Sequence, residues 1–254
     1  MTTSNAPIGA PADNHSRAER LTCALNLRAP PVAISFLQQP AAHVAPLGRV
    51  NPPPNDAGRT GAVPAGCVFW IEAMTRTFST APADHGNCSV GSLTHGLISF
   101  AEAAKRDDVA AVLASGWVTP EAAMKIPTVQ QRPAAIVYGP LARAGEFDVV
   151  LIRVDGLGLM TLKDALSDLV IEGKPQCHVI AIAKERGVPA ASVGCALSRA
   201  RTGMKAEEVI CALPAARLDE IVSAIETTHA LNRGIARYAA ADAQRFETHL
   251  RNRP

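Results

Sequence analysis

The chain has 254 residues, of which 48% are hydrophobic and 19% are charged, and its formal net charge is +2 at pH 7. This length suits one large domain or two small ones, and a core of that size needs no disulfide bonds. The nearly balanced charge argues against a nucleic-acid-binding protein, which would carry a basic stripe, and against a disordered acidic chain.

The sequence contains no apolar run of about 18 residues, the length that predicts a membrane-spanning helix. Residues 1–16 are polar and rich in alanine and proline, without the charged start and apolar centre of a signal peptide. We therefore predict a disordered leader over 1–16, a cytoplasmic location and no membrane association. In that reducing compartment the six cysteines are expected to be free thiols or metal ligands.

The first half of the chain alternates apolar runs with proline-rich and turn-rich segments. Leu21, Ala24 and Leu25 recur at helical spacing and predict an amphipathic helix over 17–27. The apolar run Val32–Leu37 includes β-branched and aromatic residues, as is typical of a buried strand. The other predictions for this half are an irregular segment at 40–66, a strand at 67–71, a turn-rich stretch at 75–91, and helices at 92–105 and 109–115.

The second half contains the clearest strand, over 147–154, because four consecutive apolar residues indicate burial on both faces. The alternation of elements predicts an α/β or α+β fold with a layered mixed sheet and flanking helices. We expect a single compact domain over 17–232 and a C-terminal helix over 233–254. The remaining predictions are strands at 133–138 and 208–213, and helices at 159–170, at 176–186, from Pro214 through Ile225, and at 235–251.

Four cysteines have similar surroundings. Cys67 follows a glycine and opens the predicted strand, Cys88 lies just before a helix, and Cys177 lies in the first turn of a helix. Cys195 follows Gly194 in a predicted turn. A helix N-terminus favours thiolate, the form that binds metals, and neighbouring glycines admit a bulky cofactor. Free cysteine is also one of the most buried residue types, and no Cys-x-x-Cys pair is present, so core thiols remain an alternative. Cys23 and Cys211 are assigned to the core.

Several of these segments resemble the domain of unknown function 169 family, over about residues 20–230. The resemblance implies a shared fold and implies that the cysteine positions recur together, which favours ligands over core thiols. It implies no reaction. The proline-rich segment at 46–64 and the C-terminal helix depart from the family pattern and leave the oligomeric state open, a homo-oligomer included. The motifs that carry the resemblance are Pro31 to Phe36, Cys67, Cys88-x-x-Gly91 with His95-Gly96-Leu97, the Cys177 region, and Gly194-Cys195-x-x-Ser198-Arg199 with Glu207-Glu208 and Leu213-Pro214.

Thiolate ligation without other donors suits an iron–sulfur cluster or zinc. We predict a [4Fe–4S] cluster held by Cys67, Cys88 and Cys195, with Cys177 as a candidate fourth ligand. Three ligands would leave one iron open to polarise a small-molecule substrate, as in an oxidoreductase or lyase, whereas four would favour electron transfer to a partner or a structural role. The alternatives are a non-enzymatic interaction protein with structural zinc and a haem protein.

Two further groups near the cysteines are candidate catalytic residues. His85 lies three residues before Cys88 and His95 seven residues after it, so a nucleophilic cysteine with a histidine base is an alternative chemistry. Arg199 and Arg201 are candidates to orient an anionic substrate or to offset the charge of a thiolate-bound cluster. Arg199 is the first choice, because alternation would turn Arg201 to solvent. A solvated, capped turn is the alternative for this segment.

Overall fold

A computed structural model describes residues 11–48, 65–172 and 177–252. Seven strands form one sheet in the order β2-β3-β1-β4-β7-β6-β5, and every neighbouring pair is antiparallel except β5 and β6. The fold is therefore the predicted single α/β domain with a mixed sheet. The strands are β1 (Val32–Leu37), β2 (Phe78–Thr80), β3 (Ala135–Pro140), β4 (Val149–Val154), β5 (Val170–Glu172), β6 (Ala190–Ser192) and β7 (Val209–Pro214).

Ten α-helices accompany the sheet within the described residues. They are α1 (Pro11–Leu25), α2 (Gly66–Glu72), α3 (Ser89–Thr94), α4 (Phe100–Ala103), α5 (Asp107–Ala114), α6 (Pro120–Ala123), α7 (Gly156–Ala165), α8 (His178–Arg186), α9 (Ala196–Thr202) and α10 (Leu218–Arg251). In the parts of the chain that the structure describes, none of them has both the length and the apolar character that a membrane crossing requires.

Side chains alternate between the two faces of the sheet and build two cores. Helices α2 and α8 cover one face, here called the aromatic face, where Phe69, Trp70, Phe78 and Tyr138 are buried. Helices α1, α7 and α10 cover the other, here called the aliphatic face, with side chains such as Leu162. Strand β4 contributes to both cores, which confirms the prediction of a strand covered on both faces.

The strand predicted at 67–71 is wrong, because this run is helix α2. A short apolar run does not distinguish a buried strand from a buried helix. Here Val68, Phe69 and Trp70 are all buried as the helix packs over β3, so the run covers the sheet instead of extending it.

The single helix predicted at 92–105 is also wrong, because α3 ends at Thr94 and α4 begins at Phe100. Gly96 separates them with a φ of 71°, and a Cβ there would lie 2.3 Å from the carbonyl oxygen of Val129. Ser99 then caps α4, since its hydroxyl accepts from the N–H of Glu102 and the Glu102 carboxylate accepts from the N–H of Ser99. This capping box was a readable signal in the sequence.

The predicted boundaries differ from the structure at both ends of the domain. Helix α1 begins at Pro11, so Pro11 to Ser16 are helical rather than part of a disordered leader, and residues 1–10 lie outside the described residues. Buried Asn14 fixes this end by donating from Nδ2 to the carbonyl oxygen of Ala144 at 3.0 Å. At the other end, α10 runs continuously through the predicted boundary at residue 233, because no proline or cap interrupts it.

Strands β2, β5 and β6 were not predicted, and each has only three residues, too few for an alternating pattern to be visible. Of the irregular segment predicted at 40–66, residues 49–64 lie outside the described residues. Pro46 forms an isolated bridge with Ser79, which ties the described part of this segment to β2.

Candidate functional site

The four cysteines predicted as ligands come together around one small cavity beside the aromatic face. They are brought there by four segments that are distant in sequence. We call this space the thiol cavity; its lining residues are Gly66, Cys67, Trp70, Cys88, Gly91, His95, Cys177, Cys195, Ser198 and Arg201.

Each cysteine lies at the N-terminal end of a different helix. Cys88, Cys177 and Cys195 are the residues that immediately precede α3, α8 and α9, and Cys67 is the second residue of α2. The Sγ of Cys88 accepts from the N–H of Gly91 at 3.4 Å, and the Sγ of Cys195 accepts from the N–H of Ser198 at 3.3 Å. The sequence predicted this placement for Cys88 and Cys177, whereas Cys67 was expected to open a strand and Cys195 to lie in a turn, so helix α9 was not predicted.

Burial controls the charge of the thiols. It raises the pKa of Cys67 to about 11, with a smaller contribution from the neighbouring Cys88 and an opposing one from Arg201. Burial also raises the pKa of Cys88, and it raises the pKa of Cys177 well above the ordinary value, with further contributions from the three other thiols. Cys67, Cys88 and Cys177 therefore stay protonated near pH 7 until a metal cation displaces their protons.

His95 contributes a nitrogen atom to the same cavity. Its Nδ1 lies 2.6 Å from the carbonyl oxygen of Gly91, and a carbonyl oxygen only accepts hydrogen bonds, so the proton is on Nδ1 and the lone pair on Nε2. Burial lowers the pKa of His95 to about 4, which keeps the ring neutral near pH 7. Metal-ligating histidines commonly show this arrangement, with one ring nitrogen fixed by a carbonyl.

His85, the histidine predicted as catalytic, does not line the thiol cavity. Its Nε2 lies 3.0 Å from the Oγ1 of Thr80, and its ring packs edge-on against Phe69 at 4.9 Å between centroids. Burial, followed by the neighbouring His95, holds the pKa of His85 well below its usual value. His85 is therefore a buried side chain behind His95.

The two arginines exchange the roles expected from sequence. Arg199 donates to the carbonyl oxygens of Val193, Lys205 and Glu208, which clamps the chain on either side of α9. Arg201, expected to turn to solvent, lines the cavity and lowers the pKa of both Cys67 and Cys88. The two side chains lie on different sides because this segment is a helix, in which residues two positions apart differ by about 200° around the axis, and Arg201 is the one that faces the cavity.

Three nitrogen atoms around the cavity have no hydrogen-bond partner although they are buried. They are Nε1 of Trp70, Nε2 of His95 and Nη1 of Arg201. Buried polar groups in native proteins nearly always have a partner, so three such atoms in one cavity point to a bound ligand. Trp70 was not among the candidates from sequence, because an indole in an apolar run is more typical of a core.

The two cysteines assigned to the core have different outcomes. Cys211 on β7 is fully buried in the aliphatic core, which confirms the assignment. Cys23 is exposed, so its assignment is wrong: it lies on α1, whose buried positions are Ala18, Leu21, Ala24 and Leu25. Both lie outside the thiol cavity.

The thiols are spread around the cavity wall and do not meet at one point. Within residues 11–48, 65–172 and 177–252, no group of three or more histidine, cysteine, aspartate or glutamate side chains is arranged to hold a single metal ion. A polynuclear cluster makes a different demand, because each thiolate binds a different iron and the ligands surround a volume. The lining supplies four thiols from separate segments, which are the type of ligand that such a cluster takes.

A comparison with family models finds one match. The model of domain of unknown function 169, described as uncharacterised ArCR, matches residues 20–224 and so covers all four cysteines of the cavity. Neither the curated proteins nor the solved structures gave a match.

Proposed function

The chain belongs to the domain of unknown function 169 family, and we propose that it is an iron–sulfur protein that performs redox or Lewis-acid chemistry on a small molecule. The observation that carries the proposal is the convergence of Cys67, Cys88, Cys177 and Cys195 on one cavity. A cluster, preferably [4Fe–4S], would be held by Cys67, Cys88 and Cys195, with Cys177 as the candidate fourth ligand. Thiolates from four separate segments suit such a cluster.

The electrostatics of the cavity support this donor set. Buried thiols with raised pKa values stay protonated until a cation displaces their protons, and a bound metal deprotonates a coordinating thiol outright. Arg201 offsets the negative charge that remains on a thiolate-bound cluster. The N–H groups of Gly91 and Ser198 already point to two of the sulfur atoms and would stabilise them as thiolates.

Different residues of the chain would have different roles at such a site. When bound, the cluster supplies an electron or an open iron that polarises a substrate. Trp70 and the aromatic face exclude water from the inner side of the cavity, since Trp70 is only 1% exposed. His95 holds a lone pair at Nε2 and its proton at Nδ1, so it accepts a proton or a hydrogen bond inside the cavity.

The proposal includes a small-molecule substrate or an electron-transfer partner, and it places the protein in the cytoplasm, where thiols stay reduced. The competing proposal is a non-enzymatic protein with structural zinc, for which four cysteines are also a common ligand set. The two proposals differ in colour, iron content and acid-labile sulfide, which are properties measurable without knowledge of the substrate.

The test is anaerobic purification followed by iron, zinc and sulfide analysis, on the wild type and on five cysteine variants. Cys88→Ser and Cys195→Ser should lower bound iron sharply while far-UV circular dichroism stays largely unchanged. Cys23→Ala is the matched control, because Cys23 is exposed on α1 and distant in the fold from the cavity. Cys211→Ala should also retain the cofactor and lose only packing free energy.

Brown protein with iron and sulfide, lost in the two serine variants, would support the proposal. Colourless protein with stoichiometric zinc would support the structural alternative instead. Full retention of iron in both Cys88→Ser and Cys195→Ser would overturn the ligand assignment. Cys177→Ser then separates three-cysteine from four-cysteine ligation, because only a fourth ligand should change the cluster content.

A further inference from the structure

We propose that the thiol cavity binds a small oxyanion that carries a hydroxyl proton, held by Trp70, His95 and Arg201. This inference names the substrate class for the proposed function, and so it rests on that function for its chemistry. The binding itself is independent of the metal, because the three nitrogen atoms belong to the chain.

Two of the three nitrogens can only donate. The indole Nε1–H of Trp70 and the Nη1–H of Arg201 have no acceptor lone pair, and neither has a partner in the structure. A buried donor without a partner destabilises the protein, so a ligand that supplies two acceptors recovers that cost on binding. Arg201 is the one formally charged side chain among the described residues that line the cavity, which favours an anion.

The third nitrogen requires a donor from the ligand. His95 donates through Nδ1 to the carbonyl oxygen of Gly91, which leaves a lone pair on Nε2 with no protein partner. The imidazole has little freedom to turn away, because its ring stacks on Phe36 with 5.9 Å between the ring centroids. On its other side the ring lies so close to the backbone of Gly66 that a Cβ on this glycine would be 3.2 Å from Cε1. Of the simple anions, only one with a hydroxyl group satisfies this lone pair and the two donors together.

The cavity also limits the size of the ligand. The enclosed part of the cavity is small, and under the proposed function the cofactor lies in the same space. The remaining room suits an anion of a few heavy atoms, such as hydrogencarbonate or dihydrogen phosphate. These two share the required chemistry, an acidic hydroxyl beside oxygen acceptors, and differ in shape, since one is planar and the other tetrahedral.

The two tryptophans of the chain provide a direct readout. An ¹H–¹⁵N spectrum should show two indole N–H signals, one from buried Trp70 and one from Trp117, which is 43% exposed and outside the cavity. A Trp117→Phe variant assigns them. Titration with hydrogencarbonate, dihydrogen phosphate or nitrate at constant ionic strength is then followed for both metal-free and metal-loaded protein.

Hydrogencarbonate and nitrate form the decisive pair, because both are planar monoanions and only hydrogencarbonate has a hydroxyl group. We expect at least one hydroxylated anion to shift the Trp70 signal saturably while Trp117 stays unchanged, and nitrate to bind at least tenfold more weakly than hydrogencarbonate. His95→Asn should abolish this preference, since an asparagine amide retains a donor for Gly91 but lacks the Nε2 acceptor. Arg201→Gln should weaken binding at least tenfold, whereas the exposed control Arg245→Gln should not.

Several outcomes would overturn the inference. They are the lack of a saturable Trp70 shift with either hydroxylated anion, equal binding of hydrogencarbonate and nitrate, and binding that survives Arg201→Gln. The inference would also be overturned if the anion bound only to metal-free protein and its binding disappeared when the protein was loaded with metal. The donors of Trp70 and Arg201 would then bind the cofactor instead of a substrate anion. If the protein binds no iron but shows the expected anion binding, the proposed function fails and the anion site stands.

Discussion

The two faces of the sheet use their buried volume differently. On the aliphatic face, α1, α7 and α10 pack almost entirely aliphatic side chains, and the buried polar side chains of Asn14 and Thr161 donate to backbone carbonyls. On the aromatic face, buried side-chain atoms remain without partners on α2, β3, α8 and α9, and on His95 directly after α3. Within the described residues, Arg153 near the end of β4 is the one further residue with such an atom.

We interpret this difference as a division of roles, in which the aliphatic face stabilises the fold and the aromatic face carries the candidate site. Buried polar atoms without a hydrogen-bond partner reduce the stability of the folded protein, so they are expected mainly where a bound ligand supplies the missing partner. The aliphatic face provides a well-packed support, and the aromatic face carries the thiol cavity at its side. Four predictions follow from the contrast, and each of them treats one face as the control for the other.

The largest expected effect is a loss of stability in acid that originates on the aromatic face. Burial lowers the pKa of His95 and of His178 to about 4 in the folded protein, against 6.5 for an ordinary histidine. Below pH 6.5 the unfolded chain takes up protons that the folded chain does not, so stability falls from pH 6.5 to pH 4 and is unaffected above. At pH 4 the loss is about 3 kcal/mol for each residue.

Urea unfolding of metal-free protein at pH 7, 5.5 and 4 measures this loss. His178→Leu should remove about a third of the pH dependence, because the pKa of buried His85 also lies well below its usual value and adds to the effect of His95 and His178. His229→Leu is the control, since this histidine lies on α10 and is not buried. A free energy of unfolding that is constant from pH 7 to pH 4 would contradict the prediction.

The second prediction concerns Leu162, a fully buried side chain of α7 on the aliphatic face. Leu162→Ala should lower the free energy of unfolding by about 3 kcal/mol, because it leaves a cavity in a packed core. Iron content per folded molecule should stay unchanged, since the thiol cavity lies on the other side of the sheet. Chemical denaturation and metal analysis test both parts, and loss of iron from folded protein would show that the faces are not independent.

The sequence predicted most of the fold because long periodic segments carry their own signal. Strands β1 and β4 and helix α5 are where the hydrophobic pattern placed them. The pattern failed at 67–71, where a short apolar run serves equally in a strand or a helix, and at β5 and β6, which are too short to show a period. At α10, apolar spacing predicted two helices because the pattern does not reveal that the helix continues past the core.

For the site, the cysteines were recognisable because reactive residue types beside glycine are conspicuous in sequence. Their convergence depends on tertiary structure, as does the contrast between Arg199 and Arg201, whose chemistry is identical. Trp70 shows the limit most clearly. Whether its Nε1 has a partner is decided by atoms from α2, α3 and α9 together, and no local pattern carries that information.

The third prediction concerns a substitution that removes an unpaired polar atom outside the thiol cavity. The hydroxyl of Tyr138 on β3 is fully buried without a partner, and burial holds its pKa well above the usual value. Tyr138→Phe should therefore stabilise the protein by about 1 kcal/mol, because no hydrogen bond is lost and a desolvated group is removed. A urea midpoint that rises, with unchanged iron content, supports this account. A destabilisation would show that the hydroxyl has a partner in solution.

The smallest expected effect belongs to the rim of the aliphatic face, where α1 and α10 are joined by ion pairs. Arg20 donates from Nε and Nη2 to the two carboxylate oxygens of Glu226 at 2.9 and 2.6 Å, in a bidentate arrangement. Both side chains are more than a third exposed, so solvent screens the pair, and a double-mutant cycle with Arg20→Ala and Glu226→Ala should give a coupling of about 0.5 kcal/mol. The coupling should decrease further in 1 M salt. A coupling above about 2 kcal/mol that is insensitive to salt would mean that this rim, and not only the aliphatic packing beneath it, holds α10 to the domain.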